Sequence, residues 1–177
     1  EEDPTIALAR SRIVDLVKRH LAATGRSETA VPGLTVHGKT TSTEPSSFLY
    51  EPSFALIATG AKRVMLGDES YIYDQSHFLL TAVGLPTIVQ VLGATEAKPY
   101  YSIKLDIDLE LARELISEVA QQGPELPVAT RGMAIGPVTP ALALTAMRLT
   151  ELLESPEDIP ILARSLQREI LYHVLTG

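Results

Sequence analysis

"VMLGDESYIYDQSHFLL", residues 64–80, carries the pattern that decides the fold. Residues 64–66 form an apolar run. Gly67-Asp68 is a two-residue turn signal, because glycine takes the positive φ that primed hairpin turns require. Tyr71, Ile72 and Tyr73 return in the opposite sense, Asp74-Gln75-Ser76 interrupts, and Phe78, Leu79 and Leu80 resume. This spacing predicts two antiparallel strands over a tight turn, followed by a third strand.

The flanking sequence repeats the same grammar from about residue 28 to 107. "LTVHGKT" at 34–40 alternates, and "SSFLYEPSFALIATG" holds two short apolar runs separated by Glu51-Pro52. "TIVQVLGAT" at 87–95 and "PYYSIKLDI" at 99–107 are rich in β-branched and aromatic residues. Six or more strands with turns every 8 to 12 residues predict a sandwich or small barrel rather than βαβ units.

Helical periodicity brackets this region. Asp3 is a suitable N-cap and Pro4 suits the first helical position. Ile6, Ala9, Ile13, Leu16, Val17 and Leu21 then recur on one face, with Gly25 as the expected stop. The basic trio Lys18, Arg19 and His20 complements the C-terminal helix dipole. Downstream, Asp108 caps a segment with Leu111, Leu115 and Val119 on one side. A Gly/Pro-rich stretch, 123–137, is expected to be a connector. Thr139-Pro140 opens a helix to about Glu154, and another runs from about Ile161 to Thr176. The short turn between them predicts an antiparallel pair. The expected class is therefore α+β: a small barrel preceded by one helix (1–107) and followed by a helical region (108–177).

Composition removes several function classes. With 177 residues and 45% hydrophobic content, the chain can bury a core of its own. The absence of cysteine excludes disulfides, thiolate metal sites and a cysteine nucleophile. The net charge of −7, with scattered basic residues, argues against nucleic-acid binding by this segment. No apolar run is long enough to span a membrane, and nothing resembles a signal peptide, so a cytoplasmic location is expected.

The chemistry-bearing residues favour binding over catalysis. There is no Gly-x-Ser-x-Gly elbow and no phosphate loop, and no catalytic residue or cofactor is assigned. His37 and His77 lie in strand-like regions and could meet inside a barrel. A two-histidine metal site completed by Glu51 or Asp74 would make the chain a metal-dependent enzyme, but the His-x-His spacing that aims two rings at one metal is missing. Tyr71 and Tyr73 share a face, and Tyr50 sits at a strand end. His37, Tyr50, Tyr71, Tyr73 and His77 are thus the candidates for lining a small-molecule pocket; the alternative is that the rings only fill the core. Leu142, Leu149 and Leu153 are candidates for a dimer contact, since Leu144 and Leu152 on the same segment also need cover.

Several stretches resemble the N-terminal domain of one branch of AraC/XylS-type bacterial transcription regulators. They are Thr29-x-Val31-Pro32-Gly33-Leu34, Tyr50-Glu51-Pro52-Ser53, Gly60-x-Lys62-Arg63-Val64, and Leu66-Gly67-Asp68-Glu69 followed by Tyr71-x-Tyr73-Asp74. "RGMAIGPVTPAL", "SPEDIPILA" and "REILYHVLTG" continue the pattern. The resemblance implies a cupin-like β-barrel that senses a small-molecule effector and helices that mediate homodimerisation. It also implies a C-terminal helix-turn-helix domain, outside this sequence, that binds DNA. Where relatives carry Pro-Gly after the Tyr-x-Tyr-Asp stretch, this chain has Gln75-Ser76, so a different turn is expected there. The alternative reading keeps the barrel as a metal-dependent cupin enzyme using His37 and His77.

Overall fold

The hairpin at 64–74 forms as its sequence predicts. β5 (Ala61–Leu66) pairs antiparallel with β6 (Glu69–Asp74), Leu66 opposite Glu69. Gly67 has φ +58° and Asp68 is not left-handed, which is the II′ pattern whose twist matches the strands. The third strand, β7 (His77–Thr81), does not continue this sheet. Asp74 Oδ1 accepts from the Ser76 amide at 2.9 Å, and this local turn carries the chain across to a second sheet.

The computed structural model describes residues 1–123 and 132–176. The remaining strands are β1 (Arg26–Glu28), β2 (Leu34–Lys39), β3 (Ser46–Tyr50), β4 (Ser53–Thr59), β8 (Leu85–Leu92), β9 (Tyr100–Asp106) and β10 (Met133–Pro137). They build two antiparallel sheets. One has the order β1-β2-β9-β4-β7-β10 and the other β3-β8-β5-β6. The class is α+β, as expected, but the barrel is not closed. β1, β10, β3 and β6 each pair on one side only, so the sheets face each other without being hydrogen-bonded into a ring.

Helices cover the outer face of the six-stranded sheet. α1 (Pro4–His20) is capped by Asp3, whose side chain accepts from the Thr5 amide, and it buries Ala9, Ile13, Leu16 and Val17. It ends at His20, before the stop expected at Gly25, because Leu21 is already extended. α2 (Leu109–Gln121) is capped by Asp108. α3 (Pro140–Glu151) is capped by Thr139 and followed by short 3-10 turns that include Leu153. α4 (Ile159–Thr176) starts two residues earlier than its periodicity indicates.

One apolar core runs through this layer. It unites Ile13 and Val17 of α1, Leu142, Ala146 and Leu149 of α3, Leu166 and Ile170 of α4, and Val36, Phe54, Leu56, Ile103 and Leu105 of the sheet. The core crosses the division expected at 107/108. A smaller cluster ties α2 to Leu171 of α4.

Two further expectations are corrected here. Residues 133–137, expected to be connector, form β10, which pairs with β7 from Met133 opposite Thr81 to Pro137 opposite His77. Gly136 hid the strand, and it is required there: a Cβ would stand 2.4 Å from the Phe78 ring. The preceding connector residues, 124–131, lie outside the described residues. Leu142, Leu149 and Leu153 are not surface leucines. They are buried inside this chain's own core, so they have no area left for a partner.

Candidate functional site

The two sheets turn opposite side chains toward each other, and the space between them is not fully packed. Alternation places Ala55 and Ile57 of β4, Leu79 of β7 and Val64 of β5 in a second apolar cluster between the sheets. Bordering it, with Ala55, Tyr50, Tyr73, Val91 and Tyr100 shared between cluster and wall, lies a cavity of about 270 Å³.

Polar residues at every second strand position line it. β2 contributes His37 and Lys39, and β9 contributes Tyr100, Ser102 and Lys104. Arg26 of β1 stands opposite His37 in the ladder, and His37 opposite Ser102. From the other sheet come Phe48 and Tyr50 of β3, Lys62 of β5, Tyr73 of β6, and Val89 and Val91 of β8. Arg26 and Lys39 are exposed at the rim, whereas Lys62 and Lys104 reach inward.

Lys62 is the centre of the polar network. Its Nζ donates to the Tyr50 hydroxyl at 2.8 Å and lies 5.3 Å and 5.7 Å from the centroids of the Tyr50 and Phe48 rings. Those rings meet edge to face at 4.7 Å, so they form a fixed apolar wall beneath the ammonium. Burial, reinforced by the positive charge of Lys104, pulls the Lys62 ammonium down to about 8. Lys104 has its own counterion in Asp106, at 2.9 Å.

The other titratable groups are held neutral. Burial, then the charges of Lys62, Arg26, Lys104 and Lys39, push His37 down to about 3. Burial raises the Tyr50 and Tyr73 phenols, with neighbouring phenols adding to the effect. Burial raises Tyr100 to about 12, moderated by its hydrogen bond with Ser102. At neutral pH the cavity therefore offers cations, phenol donors and an uncharged imidazole.

Of the five residues proposed from sequence for a pocket, His37, Tyr50 and Tyr73 line this cavity and two do not. Tyr71 shares Tyr73's face but packs against the apolar cluster outside the cavity lining, and its hydroxyl donates to Glu69 at 2.6 Å. His77 is exposed, 3.6 Å from Asp74. His37 and His77 do not meet: β9 and β4 separate their strands, three ladder steps of ~4.8 Å each. The two-histidine metal site is thereby overturned. Among the described residues, no group of three or more His, Asp or Glu side chains is placed to hold a metal.

Sequence reasoning missed Lys62, Lys104, Arg26, Lys39, Tyr100 and Ser102 as site residues. The signal was present in His37-x-Lys39 and Tyr100-x-Ser102-x-Lys104, which put polar groups on one strand face while Val36, Ile103 and Leu105 occupy the other.

The facing antiparallel sheets carry a helical cover on one side and a lined cavity between them. The family comparison is specific: a model of the AraC-type transcriptional regulator N-terminus matches residues 30–177. The chain belongs to that family and is a regulatory domain of this type. No curated protein sequence matches it.

Solved structures with the same fold include ToxT from Vibrio cholerae O395, 10% identical, with a TM-score of 0.51 over 85% of this chain and 53% of that one. ToxT from the same strain bound to (E)-4-(8-methylnaphthalen-1-yl)but-3-enoic acid is 11% identical, with a TM-score of 0.53 over 79% and 54%. The AraC-like transcriptional activator CuxR is 15% identical, with a TM-score of 0.51 over 83% and 54%. The chain spans about half the length of these proteins. At such identities the likeness is one of fold. Among the described residues, no helix is long and apolar enough to cross a membrane.

Proposed function

We propose that this chain is the effector-sensing part of a cytoplasmic transcription regulator, with a small-molecule effector held in the cavity between the sheets. The observation that carries the reading is the cavity itself, an unfilled space walled by Tyr50, Tyr73, Tyr100 and Lys62 inside an otherwise well-filled interface. A fold neighbour carries an organic acid, which is consistent with a ligand site in this kind of domain. The facing sheets serve as an open cupin-like barrel built by the strands of 1–107 together with β10. Helices α2, α3 and α4 form the helical dimerisation region, and DNA is bound by another part of the full-length regulator.

The transmission route follows from strand alternation. His37 and Ser102 face the cavity, while their neighbours Val36 and Ile103 are embedded in the core shared with α1, α3 and α4. A ligand that favours one placement of β2 and β9 on the cavity side biases the helices on the other, and shifts the population of regulator states by its differential affinity. A homodimer would use the apolar residues the helices leave exposed, Leu144, Ile161, Leu162 and Tyr172, in place of the buried leucines.

Native mass spectrometry of gently purified protein tests this reading. A discrete non-protein mass is expected, lost in a Ser102→Phe variant whose ring would occupy the cavity. A folded protein that retains no small molecule, and melts at the same temperature with or without cell-extract metabolites, would count against it.

A further inference from the structure

We infer that the effector is a small organic anion with an apolar body, its carboxylate or equivalent acid group anchored on Lys62 and drawn in past the cationic rim. This rests on the effector-site reading above and names the ligand class of that site. The argument comes from the residues of this chain. Acidic residues outnumber basic ones 22 to 15, yet the cavity is lined by four basic side chains, Arg26, Lys39, Lys62 and Lys104, and by no carboxylate. The distribution opposes the net charge, so overall composition does not explain it.

Each cation has a distinct place. Arg26 and Lys39 are exposed at the mouth, where like charges raise the local concentration of an approaching anion. Lys104 is already matched by Asp106. Lys62 lies deeper, and among the described residues no carboxylate pairs with it; its hydrogen-bond partner is a neutral phenol. A desolvated ammonium without a counterion is costly, and a ligand carboxylate removes that cost by supplying the missing charge and a charge-assisted hydrogen bond. The depressed proton affinity of Lys62 agrees with this reading, since it reports an ammonium short of negative charge.

The rest of the wall fits the other end of such a molecule. Phe48, Ala55, Val89 and Val91 supply apolar surface. His37, neutral and hydrogen-bonding, adds polar recognition without competing for the anion. A cation would meet four like charges here, and a neutral sugar would leave the ammonium unpaired.

The test uses matched probes on the purified protein, read by calorimetry. Phenylacetate, naphthoate and phenylbutanoate are compared with the corresponding alcohols and amines. Carboxylates are expected to bind at least about tenfold more tightly than their alcohols, the scale of one charge-assisted hydrogen bond, with no binding by the amines. Lys62→Met should reduce carboxylate affinity about tenfold or more and leave alcohol affinity within about twofold. Lys104→Gln, which leaves the Lys62 anchor in place, should weaken carboxylates less. Circular dichroism confirms that each variant is folded. The inference is overturned if alcohols or amines bind as well as the acids, if Lys62→Met leaves acid affinity unchanged, or if no carboxylate binds. In those cases a mass retained in native spectra would keep the effector site and reject only its anionic character.

Discussion

The two faces of the six-stranded sheet are made from the same strands and meet opposite fates. Toward the helices, Leu34 and Val36 of β2, Phe54 and Leu56 of β4, and Ile103 and Leu105 of β9 are buried in continuous apolar packing. Toward the other sheet, the intervening residues His37, Lys39, Ser102 and Lys104 surround a cavity. A period of two thus sorts residues into a load carried by packing and a surface left for a ligand. The face that pins the helices is the reverse of the face that would feel the effector, so no long relay is needed between them.

The contrast is broken most directly by truncating one side chain on each face. Phe54, fully buried against the helical layer, should cost about 3–5 kcal/mol as Phe54→Ala, because the cavity it leaves cannot collapse among neighbouring strands and helices. Ser102→Ala should cost about 1 kcal/mol, for loss of its hydrogen bond with Tyr100 beside an existing cavity. Urea unfolding of the two variants measures both. Equal losses would mean that the cavity face contributes as much to stability as the helical one.

Acid should act on the cavity face first. His37 is held to about 3 in the folded state, against an ordinary 6.5. Above pH 6.5 both states are neutral and the group contributes no pH dependence. Between about pH 6.5 and 3 the unfolded chain binds the proton and the folded chain does not, so stability falls as pH falls. By about pH 5 the loss should reach about 1–2 kcal/mol, allowing for residual solvent access. The charged groups that act on His37 are Lys62, Arg26, Lys104 and Lys39, each disfavouring its protonated form. The carboxylates of Asp108 and Glu154, held low by their hydrogen bonds, act in the same direction but at lower pH. His37→Gln should flatten the slope between pH 6.5 and about 5 while leaving stability at pH 7.5 nearly unchanged.

The sequence made the helical face easy to read and the cavity face hard, for a physical reason. Apolar positions at period two or 3.6 report burial directly, so α1, the hairpin and the caps at Asp3, Asp108 and Thr139 were all legible. Polar residues at the alternate positions look the same whether they face water or a cavity. The His37-x-Lys39 alternation marks a polar strand face but not what lies opposite it, because the facing sheet is delivered by connections outside that strand: β3 through residues 40–45, β5 and β6 through the turn at Gly60, and β8 through residues 82–84. The same ambiguity misassigned Leu142 and Leu149: a second apolar stripe on α3 reads as an interface when the sequence does not reveal that α1 covers it.

Lys62 sharpens the contrast further, since it is expected to be a burden to the free protein. With its ammonium drawn to about 8 from an ordinary 10.5, its charge opposes folding at neutral pH. Lys62→Met should stabilise the ligand-free protein by about 1–2 kcal/mol, less than the full shift implies because the ring contacts and the bond to Tyr50 are lost. In the parent protein, stability should rise with pH between about 8 and 9.5, where the unfolded chain holds the Lys62 proton more tightly. The neighbouring phenols, Tyr73 and Tyr100, oppose this only at higher pH. The variant should lose that rise in a pH series of thermal melts. A destabilised Lys62→Met would mean that the ammonium is a structural element and not a waiting anchor.

The smallest effects are expected at the two residues the sequence nominated and the fold set aside. Tyr71 faces the same way as Tyr73, but its hydroxyl is engaged with Glu69 at the exposed end of the hairpin. His77 is exposed where β7 leaves the crossing turn, beside Asp74. Tyr71→Phe and His77→Ala should each change stability by less than about 0.5 kcal/mol, as surface substitutions do. Both should leave carboxylate affinity within about twofold, whereas Tyr50→Phe, which removes the phenol that holds the Lys62 ammonium, should not. Calorimetry on the three variants makes the comparison. If His77→Ala weakened binding as much as Tyr50→Phe, the ligand would have to reach the β7–β10 edge, and the site would extend across the sheet instead of resting between β2, β9 and β5.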